Sequence, residues 1–350
     1  MIKRLFNRND NIAILIAGIF SIIIGLGVAR FAFTGLIPAM LDDYLTIKFV
    51  GILASLNFAG YLSGSIFSIF VKDINFKVYL YRFGIFLAIS TTFILAYSDN
   101  NTLWMIGRVL AGFAGAMCLI VGTSIVMQKL TIKSKTKAMG IHFSGIGFSI
   151  LTTDLLARFV LSLNYSWRDS WAVLAVFAII LSLYSVYILS FDKEVKQNAV
   201  KVKFDISIFT PFVIVLIIAY FTEGVGFVVQ ATFLPDIINN LKGLEGYGSL
   251  TWTLVGVAGI PSCIIWMLLA HRFGSSNIII IALLLQAVGI LIPAFSSNIY
   301  LNLLSGVLYG GTFIGLVALF MNLGGQLSRG NPVVLMGAMT SSYGIGQVIA

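Results

Sequence analysis

The chain is 350 residues long, 59% hydrophobic and 10% charged, with a mean hydropathy of +1.01 and a formal net charge of +9. A soluble globular domain has roughly 45–50% apolar and about 25% charged residues, so this composition excludes a soluble fold, and 28 Phe with 13 Tyr exclude a disordered one. Apolar runs of 20 to 30 residues without alternation favour membrane-spanning helices over the strands of an outer-membrane barrel.

In chain order the predicted spans are 11–41, 48–71, 79–97, 102–127, 138–162, 169–190, 208–236, 249–270, 276–295, 299–326 and a last one from 333. The first follows a basic segment, as in a secretory signal, but is too long and lacks a small-x-small cleavage site, so it reads as a retained span. Short polar connectors such as Ser98-Asp99-Asn100-Asn101 and Ser296-Ser297-Asn298 separate the spans. The one long connector, 191–207, reads as a linker between a bundle at 1–190 and a second at 208–350.

Lys and Arg alternate between connectors. One side holds Lys3, Arg4, Arg8, Lys72, Lys77, Arg82, Lys129, Lys133, Lys135, Lys137, Lys193, Lys196, Lys201, Lys203, Arg272 and Arg329. The other holds Lys48, Arg168 and Lys242 beside Asp42, Asp43, Asp99, Asp169, Asp236 and Glu245. Sixteen against three places the N-terminus and the linker in the cytoplasm. The net charge is thus accounted for by topology, without nucleic acid, although Lys129 to Lys137 could touch anionic lipid. Cys118 and Cys263 both lie inside spans and suggest no disulfide framework.

The second half repeats the first. Gly27-Val28 recurs as Gly224-Val225 and Pro38 as Pro235; Gly60 recurs as Gly256. Val109-Leu110 with Gly112 recurs as Val307-Leu308 with Gly310, and Ala138-Met139 with Gly145-Ile146-Gly147 as Ala338-Met339 with Gly344-Ile345-Gly346. Four segments in one order at an offset of 196 to 200 indicate a parallel duplication of a six-helix unit, each copy starting on the cytoplasmic side. A complete second copy would extend to roughly residue 390 on the two-repeat plan, so the expectation is a fragment truncated within helix 11.

Ionisable residues at membrane depth are costly and therefore candidates for function. Arg30, Arg108, Asp154, Arg158 and Glu223 are of this kind, with His142 a weaker sixth for which packing is the plainer reading. Asp154 and Arg158 stand at i and i+4, and helical rise puts Arg108 and Asp154 each about 9 to 12 Å from the outer ends of their helices. The expectation is an Arg108–Asp154–Arg158 cluster, with a structural clamp and a coupling role both open. Glu223 lies about 18 Å below Pro235 and Arg30 about 12 Å below Pro38 on the same rise. Arg30 shares a helix face with Gly27 and Thr34, and Glu223 shares one with Gln230. No phosphate-binding loop, dinucleotide fingerprint, nucleophile–base pair or metal-ligand spacing occurs, so neither a catalytic residue, a cofactor nor a metal is expected.

Arg108 is followed by Gly112 and Gly115 in Gly107-Arg108-Val109-Leu110-Ala111-Gly112-Phe113-Ala114-Gly115. This segment resembles the fourth helix of the major facilitator superfamily, with Ala111 where Gln is usual. Leu269-Ala270-His271-Arg272-Phe273-Gly274 resembles the family's loop motif, with His271 where Asp is usual, and Tyr165-Ser166-Trp167-Arg168 before the sixth span also resembles the superfamily. The first-half copy of that loop, Phe70 to Lys77, is degraded. The opening Gly25-Leu26-Gly27-Val28-Ala29-Arg30-Phe31-Ala32-Phe33-Thr34, reaching Pro38 and Met40, is similar to the YbfB/YjiJ-type branch, presumed transporters of unassigned substrate.

The resemblance spans the whole chain and implies an all-α polytopic membrane protein of two six-helix bundles, the second incomplete, with helices 1, 4, 7 and 10 lining a central cavity. It implies a secondary transporter working by alternating access in the plasma membrane, or the inner membrane of a bacterium. Arg30, Thr34 and Gln230 would contact the solute, and Glu223, Arg108 and Asp154 would carry proton coupling. Arg30 would hold an anionic group or pair with Glu223, a pairing that could also be purely structural; His271, Arg272 and Gly274 would form the gating loop. A receptor or a membrane enzyme is the alternative class, but the connectors offer neither a soluble domain nor a catalytic constellation. A monomer, with only the lipid bilayer, a small-molecule solute and protons as partners, is the expectation.

Overall fold

The computed structural model describes residues 6–71, 73–131, 135–190, 208–327 and 332–350. The expected linker 191–207 and the basic residues Lys3, Arg4, Lys72, Lys133 and Arg329 lie outside them. The described chain is helical and divides into two compact units, Met1–Gln197 and Asn198–Ala350.

Unit 1 holds α1 (Asn11–Leu41), α2 (Ile47–Phe70), α3 (Ile74–Tyr97), α4 (Asn101–Lys129), α5 (Lys135–Ser162) and α6 (Trp167–Ile188). Five of these helix starts have a local cause. Asp10, Thr46, Asp73 and Asn100 accept a hydrogen bond from a backbone N–H in the first turn of α1, α2, α3 and α4, and Ser166 forms a capping box with Asp169 on α6. Unit 2 holds α7 (Pro211–Asn239), α8 (Tyr247–Phe273), α9 (Ser275–Phe295), α10 (Ile299–Leu327) and α11 (Pro332–Ile349). Thr210 caps α7 with Pro211 in its first turn. Among the described residues, α1 to α4, α6 to α10 and the Ala138–Ser162 part of α5 are long and apolar enough to cross a membrane. Several helices outrun the apolar runs that predict them. The third starts at Ile74 rather than 79 and the eighth continues to Phe273 rather than 270, because a polar residue at a helix end keeps its backbone bonds while its side chain meets water.

The two units are built alike. In unit 1 α4 packs on α2, α5 on α1 and α3 on α4; in unit 2 α10 packs on α8, α11 on α7 and α9 on α10. The glycines of the sequence repeat mark these seams. At Gly112 an added Cβ would meet the backbone of Asn57 and Tyr61 on α2; at Gly310, 198 residues later, it would meet Val255 on α8. Close approach of backbones is how apolar helices associate where no hydrophobic force separates protein from lipid. Large apolar side chains such as Phe159, Leu183, Val215, Leu268 and Leu284 point outward, as a lipid-facing surface requires.

Two helices depart from α geometry. α1 is π-helical over Ile23–Phe31, where the Ala32 N–H reaches Gly27 O five residues back. α4 is π-helical over Met117–Val121, where the Gly122 N–H reaches Met117 O. Such wide turns concentrate at functional sites, and here they pack on each other: the Ser21 hydroxyl donates to Cys118 O at 2.9 Å, and a Cβ at Gly25 would strike the Cys118 side chain.

At the acidic end of unit 1, the Trp167 indole N–H donates to Asp43 at 2.8 Å, Arg168 pairs with Asp99, and the Tyr44 hydroxyl donates to Asp99 O at 2.7 Å. Three connectors are thereby tied together.

Candidate functional site

Arg30 lies in the π segment of α1 and is half-buried. Its guanidinium carbon stands 4.5 Å from the Phe58 ring centroid, 5.2 Å from Tyr61 and 5.6 Å from Phe31. Aromatic faces stabilise a cation by their quadrupole most where water is scarce. Thr34, four residues on, is buried.

Arg108, only 3% exposed, sits within electrostatic reach of Arg30. Its guanidinium donates from Nη1 to Ala29 O at 3.0 Å and from Nε to Leu53 O at 3.4 Å, and it lies 4.3 Å over the Phe33 ring. Asn57 seals the same junction, donating to Arg108 O at 3.1 Å and Ala29 O at 3.5 Å. The Ala29 carbonyl, in the π segment of α1, thus accepts from both side chains. A buried cation held by carbonyls and a ring locks α4 to α1 and α2.

The expected three-member cluster forms only in part. Arg158 Nε pairs with Asp154 Oδ2 at 3.3 Å on one helix, the Asp154 side chain being 1% exposed and that of Arg158 33%. Arg108 does not join them; it turns to the carbonyls of α1 and α2 instead. Helical rise gives Arg108 and Asp154 similar expected depths, but the faces they present differ. α1 approaches α5 at Gly27, where a Cβ would stand 3.0 Å from Ser149 and 3.1 Å from Thr153. That contact sets the Arg30 turn of α1 beside the Asp154 turn of α5.

His142 is fully buried; its Nε2 meets the Thr123 hydroxyl at 2.9 Å, and the ring fills the space that Gly18 leaves open on α1. Among the described residues no three His, Cys, Asp or Glu side chains gather as a metal site.

In unit 2, Glu223 is 5% exposed; its Oε1 accepts from Gln286 Nε2 of α9 at 3.2 Å, and its Oε2 has no hydrogen-bond partner among the described residues. Gln230, two turns on along the same face, donates to Ile290 O of α9 at 3.2 Å. The shared face expected of Glu223 and Gln230 is present and both polar groups are answered from α9. Beside them α7, α10 and α11 stack aromatics: Tyr220 lies 4.3 Å from Phe320 and 4.6 Å from Tyr343, and Phe227 contacts Tyr309, Phe313 and Tyr343.

The expected gating loop is shorter than its name suggests. His271 and Arg272 are exposed but belong to the last turn of α8, where cations complement the helix dipole. Gly274 alone separates α8 from α9, at φ +89 and ψ 137, a conformation that side chains other than glycine rarely adopt.

Sequence reading missed Asn57, Phe58 and Tyr61 around the two arginines and Gln286 beside Glu223. Asn57 and Gln286 carried a usable signal, each being a polar residue in mid-span; the aromatics carried none among the 28 Phe and 13 Tyr.

The fold is also found in solved structures. The D-xylose-proton symporter matches with a TM-score of 0.69 and 12% identity, over 96% of this chain and 88% of that one. The nucleoside transporter NupG matches with a TM-score of 0.68 and 13% identity, over 98% and 90%. At such identities the likeness is one of fold. Residues 22–350 match the family described as "Uncharacterised MFS-type transporter YbfB". The buried charges, the duplicated bundle and that match over nearly the whole chain converge: this chain belongs to the YbfB-like family of major facilitator superfamily transporters.

Proposed function

We propose that the chain is a proton-coupled secondary transporter that moves a small solute across the plasma membrane by alternating access, with its N-terminus in the cytoplasm and no catalytic step. In a bacterium the membrane is the inner one. The protein works as a monomer.

The observation that carries the reading is Glu223. An ionised carboxylate at membrane depth is costly unless a cation or several donors attend it. Glu223 has one neutral amide donor and, among the described residues of its unit, no cation. A carboxyl in that setting is stable when it carries a proton and needs water or a positive group when it does not. Gaining and losing that proton is what couples a gradient to movement. Asp154 is the second coupling candidate, held by Arg158 on one side and lying at the level of Arg30 on the other. Arg108 positions α1 and α4 rather than exchanging protons.

Arg30 with Thr34 forms the solute-binding part of unit 1, and Gln230 that of unit 2. A guanidinium at membrane depth favours an anionic or zwitterionic solute. The experiment is flux into reconstituted vesicles against a metabolite panel, with a proton gradient imposed and then collapsed. Gradient-dependent flux that is lost in Glu223→Gln supports the reading; undiminished coupled uptake in that variant overturns it.

A further inference from the structure

We propose that the α7–α9 face of unit 2 seats a solute bearing two N–H donor groups, at least one of them a protonated amine. This seat rests on the transport reading above and narrows its solute to an amine-bearing zwitterion rather than a simple anion.

Three side chains make the face. Glu223 and Gln230 stand two turns apart on α7, Gln286 answers from α9, and all three are buried. The two amides spend a donor inside the protein. Gln286 Nε2 donates to Glu223 Oε1 at 3.2 Å, and Gln230 Nε2 donates to Ile290 O at 3.2 Å. Chemistry fixes both amides in this sense, because turning either would set its oxygen against another oxygen. Three buried oxygens remain without a hydrogen-bond partner among the described residues: Glu223 Oε2, Gln286 Oε1 and Gln230 Oε1. Acceptors buried and left unpaired cost free energy, so each is a place for a donor to arrive.

The acceptors give the chemistry of the ligand. Ammonium and guanidinium groups donate and do not accept, which suits such a row. A carboxylate or phosphate would bring oxygen to oxygen, and a hydroxyl leaves its own lone pairs facing acceptors. Charge agrees. The sequences of α7, α9, α10 and α11 contain no Lys, Arg or His, and α8 has only His271 and Arg272 in its last turn. A cation brought by the solute would make the charge-assisted bond to Glu223 that these helices do not supply at its depth.

Spacing gives the second donor. Glu223 and Gln230 are separated by about 10 Å of helical rise, and their α9 partners Gln286 and Ile290 by about 6 Å. One ammonium cannot meet both ends, so an amine at Glu223 and Gln286 leaves Gln230 for a second N–H. Phe227, buried between them on the same face of α7, packs on Tyr309 and Phe313 and offers the intervening carbons an apolar wall. A metal ion fits less well, since it draws its oxygens to one point and these lie in a row.

The test measures dissociation constants by titration calorimetry on the full chain in neutral detergent at neutral pH, without a gradient. The probes are cadaverine, pentylamine, glutarate and sodium ion; cadaverine tests this face alone. Cadaverine should bind about tenfold tighter than pentylamine, the worth of one further hydrogen bond to a charged group, and glutarate should not bind. Glu223→Gln should weaken both amines by at least about tenfold. Gln230→Leu should bring cadaverine down to the pentylamine value, and this second variant stands if the first folds poorly. Thr222→Val, exposed on the same helix, should bind as the parent does. Amines that bind no better than glutarate, equal binding of the two amines, or full cadaverine binding by both variants overturns the proposal. So does sodium binding in place of the amines. If amines fail to bind while Glu223→Gln still abolishes gradient-driven flux of another solute, the amine seat falls and the transport reading stands. If amines bind and no gradient moves them, the seat stands and the coupling reading falls.

Discussion

Replacing Gly112 by alanine tests how closely α2 and α4 must approach. A Cβ on Gly112 would overlap the Asn57 carbonyl oxygen and stand 2.7 Å from the Tyr61 backbone nitrogen, where ordinary contact begins at 3.4 Å. The atoms struck are backbone, which cannot rotate aside, so the helices must separate. Separation loosens Asn57, which donates to Arg108 O at 3.1 Å, and Arg108, which donates to Leu53 O at 3.4 Å. Overpacking of this kind costs about 1–3 kcal/mol, while alanine in a helix interior regains about 0.8–1 kcal/mol over glycine. The net is a loss of about 2 kcal/mol, at the upper end because no side chain can yield. Gly107→Ala is the control on the same helix: its Cβ would meet only methyl groups of Ile94, at 3.7 and 3.8 Å. That variant should be neutral or up to about 1 kcal/mol more stable. Both are compared by thermal unfolding in detergent, followed by tryptophan fluorescence. If Gly112→Ala matches the parent, or Gly107→Ala is the more damaged of the two, the close seam between α2 and α4 is wrong.

Asp154→Ala leaves Arg158, whose side chain is 33% exposed, without the carboxylate 3.3 Å away, and should cost only about 1 kcal/mol because the cation can turn to water. Arg158→Gln takes a charged donor from the Asp154 carboxylate, whose side chain is 1% exposed, and chemical denaturation should find the larger loss there. Gly274→Ala places a side chain at φ +89 between α8 and α9 and should cost about 1–3 kcal/mol, again by denaturation. At the exposed turn before α8, the backbone N–H groups of Glu245 itself and of Gly243 hold the Glu245 carboxyl below its ordinary value of 4.5. Its contribution is therefore present above the ordinary glutamate range and fades as pH falls through the folded value. Glu245→Gln should flatten the acid limb of the midpoint-against-pH curve slightly, and a larger effect near neutral pH would contradict the assignment.

Hydropathy carries the spans, because a helix in lipid must be apolar along its whole length, and the repeat carries the plan of each unit, because Gly112 and Gly310 serve the same seam. Rise per residue gives an expected depth along a regular α-helix. What rise does not give is azimuth. Arg108 and Asp154 are expected at one level, yet Arg108 faces α1 and α2, and that depends on how each helix is turned about its axis. The π segments add to this, for each wide turn rotates the rest of its helix, and Ile23–Phe31 carries no residue pattern that announces it. Glu223 was legible as a buried acid; its partner Gln286 was not, because the choice of α9 as neighbour belongs to packing. His271 and Arg272 read as a loop because polar residues end an apolar run, whereas a single glycine proves enough to make the turn.

The proposed driver of solute movement is a proton on a buried carboxyl, that of Glu223. The most direct measurement is the proton movement that accompanies solute entry into vesicles containing the full chain, read with an internal pH dye for the parent and for Glu223→Gln. Solute-dependent proton flux is expected in the parent and none in the variant, with the variant still inserted and still exchanging solute down its own gradient. Equal proton flux in both would contradict it.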